Sequence, residues 1–157
     1  MTVLQGVLAD RDAWSAVGRC PIEKAMGLIG TKSAMLIMRE AFYGTTRFDD
    51  FARRVGITKA AASARLSELV DAGLLTKQPY REPGQRSRDE YVLTEAGTDL
   101  MPVVWSMFEW GRKHIKDSGL RLTHLECGAD AGVEVRCADG HRVPAGELGM
   151  RVAKRSQ

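Results

Sequence analysis

Basic and hydroxyl side chains crowd between Thr58 and Arg65 (TKAAASAR), and arginines recur downstream at Arg81, Arg86 and Arg88. Lysine and arginine bind phosphate oxygens, arginine and serine can hydrogen-bond base edges, and alanine packs closely on a thymine methyl. The set therefore suits a polyanion with a readable surface; its plainer alternative is a solvated polar face. A second group is Cys20 followed by Pro21. Proline is favoured at the first helical position, so the Cys20 sulfur is expected at a helix N-terminus, where unpaired N–H groups and the positive dipole end favour a thiolate. Lys24 adds to that field and Glu23 opposes it. On this reading Cys20 is a candidate redox switch; the alternative is a buried capping cysteine kept for packing. The third group is His124-x2-Cys127 with Cys137-x3-His141, a spacing like that of Cys2His2 structural zinc sites. One spacing match is thin warrant, and the sequence favours ordinary small cysteines and surface histidines.

The elements that must position these groups are legible from periodicity. Phe48, Phe51, Ala52 and Val55 recur at i, i+3, i+4 and i+7. Gly56 supplies a turn, Ile57 plugs it and Thr58 caps the next helix. Ala62, Leu66, Leu69 and Val70 then form a second buried stripe, ended by Gly73. Two short helices joined by a tight turn make a helix-turn-helix, whose second helix, here Thr58–Ala72, can lie in a DNA major groove. An ordinary helical hairpin within an all-α core has the same pattern. With Leu66 pointing inward, a 100° step per residue turns Ala60, Ala61, Ala64 and Glu68 outward, flanked by Lys59, Ser63, Arg65 and Ser67. The residues expected at DNA are Thr58, Lys59, Ala60, Ala61, Ser63, Ala64 and Arg65. Directional readout falls to Ser63 and Arg65, and phosphate contact to Lys59, to Arg53 or Arg54, and to Arg81, Arg86 and Arg88.

Upstream, residues 1–19 read as an N-terminal arm holding one short helix anchored by Val7, Leu8 and Trp14, either loose or packed on a second subunit. A helix follows from Pro21 to about Ile29, and another from Lys32 to Phe42 with Met35, Leu36, Met38, Ala41 and Phe42 as core. A methionine stripe at this spacing is packing far more often than a ligand site. Downstream, Leu74–Tyr80 reads as an edge strand, Arg81–Ser87 as a Pro-Gly turn and Arg88–Leu93 as the partner strand. A β-hairpin directly after such a helix is the wing of a winged helix, here Lys77–Arg88, whose basic tip suits backbone or minor-groove contact. Thr94 caps a helix running to about Lys116 that Pro102 kinks or restarts. It is apolar over much of its circumference, which points to a homodimer interface of Val103, Val104, Met107, Phe108, Trp110 and Ile115, with Trp14 of the arm.

The expected architecture is mainly α with a small β-hairpin wing: an arm over 1–19, a winged helix-turn-helix over 20–118, and a short β-rich tail over 119–157. The net charge of +3 permits a polyanionic partner without demanding one. Three widely spaced cysteines do not make a disulfide framework and fit a reducing compartment. No signal peptide or bilayer-length apolar run stands out, so a cytoplasmic, nucleoid-associated protein with no membrane partner is expected. No Ser-His-Asp array, phosphate loop or paired catalytic carboxylates appear, so no enzyme is expected; zinc is the one cofactor the residues admit. A winged helix used for protein contact would want a neutral or acidic wing, and Lys59, Arg65, Arg86 and Arg88 argue against it.

Cys20-Pro21-Ile22-Glu23, Arg47-Phe48, Leu66, Leu69, Gly73-Leu74-Leu75 and the run Glu90-Tyr91-Val92-Leu93-Thr94-Glu95-Ala96-Gly97 together resemble the HxlR-type winged-helix transcriptional regulators, relatives of the MarR regulators. The resemblance spans about Cys20 to Lys116. It implies a homodimeric bacterial regulator whose terminal helices form the dimer and whose two recognition helices read an inverted repeat in double-stranded DNA. It also implies a reactive cysteine at the position of Cys20, as in members that respond to electrophiles or oxidants. One departure is Thr31-Lys32-Ser33, where the family usually has Gly-Lys-Trp; the missing tryptophan leaves core volume for neighbouring methionines to fill.

Overall fold

The computed structural model describes residues 1–81, 84, 87–115 and 119–153. The chain divides into two compact units, one formed by Pro21–Arg121 and the other by Met1–Cys20 together with Leu122–Gln157.

In the larger unit, α1 (Pro21–Ile29) is followed by α2 (Lys32–Phe42), α3 (Phe48–Val55) and α4 (Lys59–Asp71). The Thr31 hydroxyl starts α2 by accepting the Ala34 N–H at 3.2 Å, which satisfies one of the orphan donors of the first turn. Ala34, Ile37, Met38 and Ala41 of α2 are buried, Met35 and Phe42 pack at the margin of the core, and Leu36 is half-buried. The inward stripe thus runs through Ile37, which the sequence reading passed over. Phe51 and Ala52 of α3 and Ala62, Leu66 and Leu69 of α4 complete the helical part of the core.

Strands β2 (Leu75–Tyr80) and β3 (Arg88–Leu93) pair antiparallel, with Leu75 opposite Leu93 and Tyr80 opposite Arg88. Leu75 and Tyr91 turn inward, and Tyr91 meets Phe51 edge-on at 6.2 Å between ring centroids. Thr94 then joins three segments. Its hydroxyl donates to the Gly73 carbonyl at 2.6 Å and accepts the Gly97 N–H at 3.0 Å, and its own N–H bonds the Leu74 carbonyl at 3.2 Å. Gly97 is buried there, and a Cβ at this position would lie 2.0 Å from the Leu74 oxygen. Only glycine permits that approach.

The expected single helix after Thr94 is two: α5 (Glu95–Asp99) and α6 (Met101–His114), meeting at Leu100. Pro102 falls in the first turn of α6, where its missing N–H costs no helical bond, so the proline restarts the helix rather than kinking it.

The smaller unit joins the two ends of the chain. Strand β1 (Val3–Leu4) pairs in parallel with β4 (Gly149–Met150), Val3 opposite Gly149. No helix longer than a single 3-10 turn, Gly6–Leu8, forms among the first nineteen residues. The Asp10 carboxylate accepts the N–H groups of Asp12 and Ala13, which bends the chain where a helix would have to continue. Between Leu122 and Val143 the tail folds into two tight antiparallel turns, marked by the bridges Thr123–Asp130 and Arg136–Arg142.

Candidate nucleic-acid interface

The turn between α3 and α4 is built as the residues require. Gly56 adopts φ 73°, a left-handed conformation that glycine reaches without strain. Ile57 packs on the core, and the Thr58 hydroxyl accepts the Ala61 N–H at 3.2 Å to start α4. Ala62, Leu66 and Leu69 anchor the inner face of α4, which leaves Thr58, Lys59, Ala60, Ala61, Ser63, Ala64, Ser67 and Glu68 exposed along the outer one. The outward direction reckoned from Leu66 is the one the helix takes.

Several cations on this face have acidic partners within the chain. Lys59 Nζ lies 2.7 Å from Asp49, tying the start of α4 to α3. Arg65 is half-buried and its guanidinium is engaged by Glu68 one turn on; its Nε is buried without a hydrogen-bond partner. Arg53 bonds Asp50 at 2.5 Å. That hydrogen bond is the main reason the Asp50 carboxyl titrates below its ordinary value; desolvation opposes it, and the positive charges of Arg53, Arg54 and Arg47 each add a lesser lowering effect. Arg54 donates to the Thr45 hydroxyl at 3.1 Å. Thr45 in turn lies 3.4 Å from the buried Glu40, whose carboxylate also accepts Arg39 at 2.6 Å. A chain of hydrogen bonds thus keeps a buried carboxylate paired, the condition on which buried charge is tolerated.

The wing is fixed to the helix-turn-helix through the segment before α3. The Tyr91 N–H donates to the Thr46 carbonyl at 2.8 Å, and the backbones of Arg47 and Glu90 form an isolated antiparallel β-bridge. The Arg47 guanidinium lies 3.4 Å from the centroid of the Tyr80 ring, a cation–π contact at the outer end of β2. Sequence reading had Arg47 only as part of a family pattern; its pairing with Tyr80 spans more than thirty residues and leaves no local signature. Arg81 and Arg88 are exposed at the wing, and Arg86 lies outside the described residues.

Elsewhere in the larger unit, α1 is exposed along its length except for Ile29, and it presents Ile22, Met26 and Leu28 to solvent. Val103, Met107 and Trp110 of α6 and Ile115 just beyond it are exposed as well, and Phe108 is half-buried against Trp105. Val104 departs from the expected interface set: it is only 6% exposed and belongs to the chain's own core, because it lies on the face of α6 turned toward α2. An apolar cleft of about 400 Å³ between Met26, Met35, Leu36, Val103 and Met107 borders Thr31 and Lys32, beside the place where the family tryptophan is missing. In the smaller unit Trp14 and Cys20 are half-buried, and the Cys20 N–H donates to the Ala16 carbonyl at 2.9 Å. His124 and Cys127 sit in one tail turn, Cys137 and His141 in the other.

A helix-turn-helix capped by Thr58 and braced by a two-stranded wing is a winged helix-turn-helix, the fold of a class of transcriptional regulators. The HxlR-like helix-turn-helix family matches residues 28–119, and the chain belongs to it. Over 133 residues it is 36% identical to an uncharacterised HTH-type transcriptional regulator of Mycobacterium tuberculosis, covering 83% of this chain and 80% of that one. Among solved structures it is similar to PA1607, a candidate transcription factor, with a TM-score of 0.75 and 31% identity over 88% of this chain and 97% of the other. The reduced form of the redox regulator HypR matches with a TM-score of 0.56 and 31% identity, over 62% of this chain and 95% of that one. The protein is a transcriptional regulator and not an enzyme. None of the helices among the described residues is long and apolar enough to cross a membrane.

Proposed function

We propose that the protein binds operator DNA as a homodimer, with α4 of each subunit in successive major grooves of an inverted repeat, about 34 Å apart. The observation that carries this reading is the outer face of α4, where Thr58, Lys59, Ala60, Ala61, Ser63 and Ala64 are exposed on a helix anchored from behind by Ala62, Leu66 and Leu69. Three alanines permit the backbone to approach the groove floor and pack on thymine methyl groups, so directional readout falls to Ser63 and Arg65 and to DNA shape. Lys59, Arg81, Arg86 and Arg88 contact phosphates or the minor groove. Of the two α3 candidates, Arg53 is already compensated by the Asp50 carboxylate, whereas Arg54 bonds only the neutral Thr45 hydroxyl and keeps its charge for phosphate.

The exposed apolar side chains of α1 and α6, Ile22, Met26, Val103, Met107 and Trp110 among them, form the subunit interface. Cys20 immediately precedes α1, and HypR, a structural relative, is a redox regulator. We therefore assign Cys20 as the thiol whose oxidation or alkylation shifts the spacing of the two recognition helices. Such an effector has to discriminate between dimer arrangements by a few kcal/mol to move the population. Sedimentation of the protein with fluorescence anisotropy on its own upstream DNA tests the reading. A monomer at micromolar concentration with no affinity beyond that for random duplex would overturn it.

A further inference from the structure

We propose that His124, Cys127, Cys137 and His141 hold one structural zinc ion that organises the C-terminal tail. The two turns of the tail are built alike. In the first, the Gly128 N–H bonds the His124 carbonyl at 2.8 Å, the His124 N–H bonds Ala129, and Thr123 bridges Asp130. In the second, the Gly140 N–H bonds the Cys137 carbonyl at 2.9 Å, the Cys137 N–H bonds His141, and Arg136 bridges Arg142. Each turn carries one cysteine and one histidine, and each has its glycine at positive φ, 69° at Gly128 and 82° at Gly140. His124 Nδ1 lies 3.2 Å from Cys127 Sγ. The ligand atoms of Cys137, Asp139 and His141 all fall within 4.8 Å of one another, whereas among the described residues no set of three drawn from both turns is that close, so the metal has to draw the two turns together. A tetrahedral zinc with two nitrogen and two sulfur ligands needs an N–S edge of about 3.5 Å, so the first turn already holds its pair near the required separation.

The second observation is energetic. In the unit formed by Met1–Cys20 and the tail, Leu8 is the one buried hydrophobic side chain among the described residues, whereas Leu125, Val133, Val135 and Met150 are exposed. A unit of that size with almost no apolar core does not hold its fold by burial alone and needs a staple. All three cysteines are free, so the staple is not a disulfide. A metal joining the two turns supplies it, because zinc binding free energy is folding free energy in small units of this kind. Two thiolates and two imidazoles close the coordination sphere and leave no position for catalysis, consistent with a structural role. Asp139 is the alternative ligand of the second turn, and the test separates it from the four-ligand set.

Protein expressed in zinc-supplemented medium and purified under reducing conditions without chelator is analysed by mass spectrometry for metal. About one equivalent of zinc per chain is expected. Cys127→Ser and Cys137→Ser should each drop it below about a tenth of an equivalent, and Asp139→Asn should keep it. In the wild type, removing the metal with o-phenanthroline should open residues 122–153 to limited proteolysis, while the helix-turn-helix unit keeps its cooperative melt. Cobalt(II) in place of zinc should give the thiolate-to-metal absorption of a site with two sulfur ligands. Zinc below a tenth of an equivalent in the wild type after reconstitution overturns the proposal, as does zinc retained in Cys127→Ser. Because metal content and proteolysis are read without DNA, the outcome is independent of operator binding.

Discussion

The guanidinium of Arg47 lies 3.4 Å from the centre of the Tyr80 ring, so a residue at the entrance to α3 clamps the outer end of the wing. The wing's position relative to α4 is therefore set from two sides, by Leu75 and Tyr91 in the core and by Arg47 at the strand end. A double-mutant cycle on Arg47→Ala and Tyr80→Ala should give a coupling of about 1 kcal/mol in urea denaturation, the usual size for a partly desolvated cation–π pair. Arg47→Ala should also weaken operator binding by loosening the wing. Additive effects on stability would remove the contact from the account.

Gly97 admits no side chain without movement of the Leu74 carbonyl. Gly97→Ala should cost about 1–3 kcal/mol, in the range of overpacking, and should lower the melting temperature. Alanine normally stabilises a helix relative to glycine, so a neutral or raised melting temperature would contradict the geometry.

Asp50 gives stability a dependence on acid. Its carboxyl is held below 3.8, first by the hydrogen bond from Arg53 and further by the neighbouring arginine charges. A group whose folded pKa is depressed stabilises the fold above its unfolded pKa and loses that contribution as pH falls through the folded value. Stability followed by denaturation between pH 5 and pH 2 should therefore fall less steeply in Asp50→Asn than in wild type. Parallel curves would show that Arg53 does not favour the charged form in the folded state.

The half-buried Arg65 is held by Glu68, which is exposed one turn further along α4. If Arg65 reads a base, Glu68 competes with DNA for it and adds repulsion toward phosphate. Glu68→Gln should tighten operator binding by up to about fivefold, the scale of one exposed ion pair. Arg65→Ala should relax sequence preference, whereas Arg88→Ala and Arg86→Ala should each weaken all sequences alike and lower the salt slope by about one. Competition titrations at several salt concentrations distinguish these patterns.

Cys20 can be tested against the two tail cysteines. Wild type and Cys20→Ser are treated with diamide or a quinone and titrated with operator DNA. The expected result is a loss of affinity confined to wild type. An equal response in both proteins, or none in wild type, would take Cys20 out of the mechanism.

Local chemistry makes the helix-turn-helix and wing legible in the sequence. Helical spacing marks Phe51, Ala62, Leu66 and Leu69 as inward, hydroxyls mark Thr58 and Thr94 as caps, and the two alternating stretches that end at Tyr80 and begin at Arg88 pair as strands. Each signal lies within a few residues, and the backbone geometry it favours is the same in any context. What the chain alone left open depends on residues far apart in sequence. Val103 and Val104 are adjacent and equally apolar, yet only contact with α2 decides that Val104 faces the core and Val103 does not. Likewise nothing local in Lys59, Arg54 or Arg47 names Asp49, Thr45 or Tyr80 as a partner. The pairing of Val3–Leu4 with Gly149–Met150 has the same origin. Periodicity tells a residue which way to face on its own element, whereas its partner is set by how the elements pack, and that is decided only when the whole chain folds.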